Sequence, residues 1–195
     1  MEKLISEIKD LILSPLQLFE HLKLEETTKS EITKSILVYV AAIPVIAGFF
    51  GRVIIGYNVP FVGYSHVSFF SGLIWAVVLF ILTIVGVYVI SLIVNGLSPN
   101  FGGIKSELYA FKLTVYSFIP LLTLGIFSLI PALSGLYILG LYGIYLFYVG
   151  LPILMEIPEE KALTFTVIVS LISIVITILF YRLAGLAIVT NIPSF

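Results

Sequence analysis

Few side chains in this chain could do ionic or acid–base chemistry, and they lie far apart. Lys112 sits inside an apolar run, four residues before Tyr116 and eight before Pro120. Glu107 precedes it by five residues, and Glu156 closes the next apolar run. Burying a charge in hydrocarbon is costly, so each such residue is a candidate site. The matching depths predict that Glu156 or Glu107 pairs with Lys112 and ties two helices together; contact with a substrate or partner is the alternative. A proton or ion relay is poorly served, because no acid is placed at mid-depth. Arg52 and Arg182 are the only arginines, each near the end of its apolar run and with no acid on that side. Either they reach lipid phosphates or cap carbonyls, or they converge on an anionic ligand or headgroup. Tyr137, Tyr142, Tyr145 and Tyr148 share one run with Gly140, Gly143 and Gly150. That pattern suits close helix packing with phenols hydrogen-bonded between helices, or a stripe lining a ligand site.

Enzyme chemistry finds no footing here. The two histidines, His21 and His66, fall on opposite sides of the expected membrane, which removes a shared metal site or acid–base pair. Cysteine is absent, so thiolate nucleophiles and thiolate metal sites are excluded. No H-E-x-x-H, G-x-S-x-G or phosphate-cradling glycine loop occurs. The glycine-rich Asn95–Gly103 stretch lacks the lysine such a loop needs and reads as a turn. The expectation is a non-enzyme with no cofactor and no metal. A formal net charge of −1 offers no basic field for nucleic acid.

These residues are carried by elements that only lipid could solvate. Of 195 residues, 60% are hydrophobic and 11% charged, where soluble domains carry about 25% charged, and the mean hydropathy is +1.19. Charges crowd into the first 34 residues. The chain therefore divides into a head, 1–33, and a membrane domain, 34–195. Met1 to Glu7 is acidic where a signal peptide is basic, so it is expected to belong to the mature protein. Leu4, Ile8, Leu11 and Phe19 recur on the apolar side of two head helices. Ser14 and Pro15 mark the restart between them, with Gln17 placed for a capping box. Helices lying flat at the membrane surface, with these four as interfacial anchors, fit this pattern. Packing on the protein's own loops, or on a soluble partner, fits it as well. In the body, a span needs about 20 apolar residues, which places spans near 34–55, 67–94, 107–127, 134–155 and 162–188. Five spans put every lysine and every acid on one side, and the excess of lysine makes that side cytoplasmic. The N-terminus is then cytoplasmic and the C-terminus external.

With these residues in place, the chain resembles the Yip-one family of Ypt/Rab-interacting, Yip-domain membrane proteins, in its short prokaryotic form. The resemblance covers nearly the whole chain. It rests on Ser14-Pro15 and Phe19, on Leu113-Thr114-Val115-Tyr116-Ser117-Phe118-Ile119-Pro120, on Leu141-Tyr142-Gly143-Ile144-Tyr145-Leu146 running to Leu151-Pro152, and on Pro158-Glu159-Glu160-Lys161-Ala162. It implies a cytoplasmic head on five closely packed spans. In eukaryotic members it implies vesicle traffic, with binding of prenylated small GTPases and of partner Yip proteins. Their cytoplasmic D-L-Y-G-P motif has no counterpart here, and Tyr116–Pro120 matches their G-Y-x-L-F run only loosely. Small-GTPase binding is therefore not carried over.

The expectation is an all-α polytopic membrane protein, a bundle of five transmembrane helices with amphipathic N-terminal cytoplasmic helices. Its function is expected to be that of a scaffold or adaptor in the lipid bilayer, self-associating or joined to another membrane protein. The alternative is a small transporter or channel for an ion or lipid-like solute, its path lined by Lys112, the tyrosines and the arginines.

Overall fold

A computed structural model of the chain describes residues 2–59 and 63–189. Two short helices come first, α1 (Glu2–Leu13) and α2 (Pro15–Leu24). Pro15 opens α2, where its missing N–H costs nothing. Ser14 makes no side-chain cap bond, so the capping box expected there is absent. It lies instead at Thr28, whose side chain accepts from the Glu31 N–H while Glu31 accepts from the Thr28 N–H.

Five helices among the described residues are long and apolar enough to cross a membrane. They are α3 (Lys29–Ile55), α4 (Phe69–Phe101), α5 (Glu107–Leu129), α6 (Ile138–Met155) and α7 (Glu159–Val189, apolar to Leu186). The chain is an all-α, multi-pass membrane protein. The first span starts five residues before the expected boundary at 34, because the Thr28 cap begins the helix there. Leading into α6 and through its first turn the chain winds tightly as a 3-10 helix over Pro131–Leu141, where a regular helix from 134 was expected. A two-stranded antiparallel turn, β1 (Tyr57–Val59) with β2 (Gly63–Ser65), joins α3 to α4.

The bundle is built around α5. In its most apolar stretch 61% of residues are buried, against 17% in α7. It packs on α3, α4, α6 and α2. Close approach is bought with glycine: a Cβ at Gly125 would strike Pro44 of α3, and one at Gly143 of α6 would strike the Ser117 carbonyl. Helix α7 lies along α4 and leaves Leu163, Val167, Leu171, Val175 and Leu179 exposed, as a lipid-facing helix does. One continuous core runs from Leu11 and Phe19 of the head to Ile119 and Val169 deep in the spans.

Candidate functional site

The head supplies the geometry that organises the polar residues. Leu18, Phe19 and Leu22 of α2 and Leu11 of α1 are buried in the main core, with Ile8 half-buried beside them. The Phe19 ring fits a hole made by a missing side chain. A Cβ at Gly150 would lie 3.0 Å from the Phe19 ring and 2.6 Å from a Leu113 methyl. Ile8, Leu11 and Phe19 are therefore not interfacial anchors: the anchoring reading is corrected, because these side chains face the bundle. The side chain of Leu4 lies outside the described residues. The apolar groups that the head leaves exposed are Ile12, Leu13, Leu16 and Leu24.

Lys112 reaches this head, not the acids predicted for it. Its side chain is fully buried. Its ammonium donates to the Leu22 carbonyl at 2.5 Å and to the Glu25 carbonyl at 2.7 Å. Those carbonyls close the C-terminal end of α2. The last carbonyls of a helix lack partners within it and carry the negative end of its dipole, so a buried cation is well placed there. The neighbouring Tyr109 hydroxyl donates to the Lys23 carbonyl at 3.4 Å.

The predicted pairing of Lys112 with Glu156 or Glu107 is corrected in the same way. Glu156 accepts from Lys23 at 2.8 Å, and Glu107 is paired with Lys29. Each acid ties a residue of the head, or the first turn of α3, to the bundle. Glu156 also has a left-handed backbone, φ 55°, where α6 stops.

Phenols repeat the pattern. Tyr142 of α6 donates to the Leu11 carbonyl at 3.1 Å, satisfying the last turn of α1. The buried Tyr116 hydroxyl lies against the carboxylate of Glu7, itself buried in α1. Tyr145 is half exposed and its ring packs 5.5 Å from that of Tyr142. The expected tyrosine stripe thus divides: Tyr142 holds the head and Tyr145 faces outward. The side chain of Tyr137 lies outside the described residues.

The two arginines are not brought together with this cluster. Arg52 is half-buried, stacked 4.0 Å over the Trp75 ring, and donates to the Gly48 carbonyl at 3.3 Å. Arg182 is exposed on α7. Residues that the sequence did not single out are Lys23, Lys29 and Tyr109.

Deeper in the spans, two half-enclosed crevices of about 240 and 390 Å³ run between α4, α5 and α7, with α6 closing the smaller and α3 the larger. No charged side chain lines either one, and Lys112 is in neither.

The inner membrane protein YohC of Escherichia coli (strain K-12) is 32% identical over 146 residues, which cover 72% of this chain and 74% of YohC. YohC of Escherichia coli O6:H1 matches to the same extent. No solved structure gives a significant match. The Yip1 domain family matches residues 9–181, from the first head helix to the last span. This chain belongs to the Yip1 domain family.

Proposed function

We propose that this protein is a non-enzymatic membrane scaffold or adaptor, oriented with its head and charged loops in the cytoplasm. The observation that carries the reading is the sealed Lys112. An ammonium fully buried beneath the head and bonded to helix-end carbonyls serves the architecture. A transport path would need water at that group, whereas the crevices are apolar and do not include it. Orientation follows from lysine placement, since short loops rich in Lys remain on the cytoplasmic side. The exposed Ile12, Leu13, Leu16 and Leu24 give the docked head an apolar outer face that suits the membrane surface. The lipid-facing α7 offers area for self-association or for another membrane protein.

The test is reconstitution of the full chain into phospholipid vesicles. The scaffold reading expects no potassium, proton or chloride flux above that of protein-free vesicles. It also expects one discrete subunit number by single-molecule photobleaching in dilute membranes. An ion flux that disappears in Lys112→Met while the protein remains folded would replace it with the transporter.

A further inference from the structure

We infer that the two crevices between α4, α5 and α7 together form a binding site for one acyl tail of a bilayer phospholipid. The proposal does not depend on the scaffold reading. The crevices share Ile90, Phe118, Leu121 and Thr177, so they are adjoining parts of one depression. Each exceeds the about 150 Å³ that holds a small aromatic molecule in a dry protein cavity. Along α7 the lining runs from Val169 to Tyr181, twelve helical steps or roughly 18 Å at the helical rise. One leaflet of hydrocarbon is about 15 Å deep, half of a core of about 30 Å. The depression therefore has the length of one tail.

Its position selects the same ligand. Ile144, Ile174, Ile178 and Tyr181 are exposed at its rim, so it opens sideways to lipid rather than to water. Arg182 follows Tyr181 at the end away from the head and is exposed, at the depth where a headgroup would sit.

The experiment uses the full chain in vesicles of phosphatidylethanolamine and phosphatidylglycerol carrying a phosphatidylglycerol labelled with a nitroxide on its tail. Electron spin resonance should show an immobilised component in slower exchange than the shell of lipid around the protein. Thr177→Trp, at an exposed position that lines both crevices, should remove most of that component. Val175→Trp, on the exposed lipid face two residues away, should leave it. If Thr177→Trp lowers thermal stability, Ser173→Leu fills the smaller crevice from the same helix and should act alike. Equal immobilised fractions in the wild type and the crevice-filling variants would overturn the proposal. So would immobilisation of spin-labelled stearic acid without that of the phospholipid.

Discussion

Replacing Lys112 with methionine should undock the head before it unfolds the spans. Methionine keeps much of the aliphatic volume and removes the ammonium, leaving the Leu22 and Glu25 carbonyls without the bonds of 2.5 and 2.7 Å that close α2. A hydrogen bond to a charged group contributes about 1.5–3 kcal/mol. Two such bonds at a helix C-terminus add a dipole contribution of about 0.3–1 kcal/mol. These contributions are already net of the cost of taking the groups out of water, and the low end of their sum is used. The net loss is about 3 kcal/mol, carried by residues 15–25. At about 2–4 °C per kcal/mol for a chain of this size, the melting temperature should fall by about 6–12 °C. Trypsin cleavage after Lys23 reports α2 directly, because Lys23 is held at the docked surface by Glu156. Cleavage should rise in Lys112→Met and remain unchanged in Lys34→Met, since Lys34 is exposed. Adding Glu156→Gln should give an additive further loss, because Glu156 pairs with Lys23. A melting temperature within about 2 °C of wild type, with unchanged cleavage after Lys23, would refute the capping role.

The remaining predictions concern the same docked end and the topology. Double-mutant cycles should show coupling for Lys23→Gln with Glu156→Gln and for Lys29→Gln with Glu107→Gln, each at most about 1 kcal/mol because the partners are a third or more exposed; no coupling in either cycle would remove both pairs. Gly150→Ala should force the Phe19 ring or Leu113 to move and destabilise the protein by about 1–3 kcal/mol, with faster hydrogen exchange in residues 15–24; unchanged exchange would show that α2 does not rest on this hole. The chain has no natural cysteine, so single cysteines can map its sides: an impermeant thiol reagent on intact cells should label Ile130→Cys and not Glu20→Cys, and the reverse pattern would invert the orientation.

The spans were legible because the penalty for charge in hydrocarbon leaves long charge-free runs, such as Val53 to Ile104. The turn at Ile130–Pro131 was legible for a similar reason, since proline ends a helical run. What could not be read was the partner of each polar group. Depth alone made Glu156 and Glu107 equal candidates for Lys112. Its actual acceptors are main-chain carbonyls, which carry no residue-type signal. Head periodicity identified one apolar face through Ile8, Leu11 and Phe19, but periodicity does not say whether lipid or protein covers a face. The answer lay in Gly150, whose meaning appears only when α6 and α2 are placed side by side. Ser14 shows the limit of local rules: proline set the start of α2, and the Ser14 N–H, which the Gln17 side chain would take up in a capping box, is already bonded to the Asp10 carbonyl at 2.8 Å.

The division into a head, 1–33, and a membrane domain, 34–195, follows charge density, yet the core does not divide there. Phe19 and Leu22 belong to the same buried cluster as Leu113, Leu146 and Leu154. Lys112 is tolerable within a span because α2 ends over it, and α2 can end there because Lys112 and Tyr109 take up its carbonyls. Each element removes a polar penalty that the other would otherwise carry. Two parts coupled in this way cannot be stable independently at their contact. Deleting residues 1–25 should therefore expose Phe111, Leu113 and a buried ammonium to water together. The truncated bundle should melt lower than Lys112→Met, because it loses the apolar contacts as well as the cap. A truncation that melts no lower than Lys112→Met would mean that the apolar half of the docked surface contributes nothing, and that the charge-based division is the physical one after all.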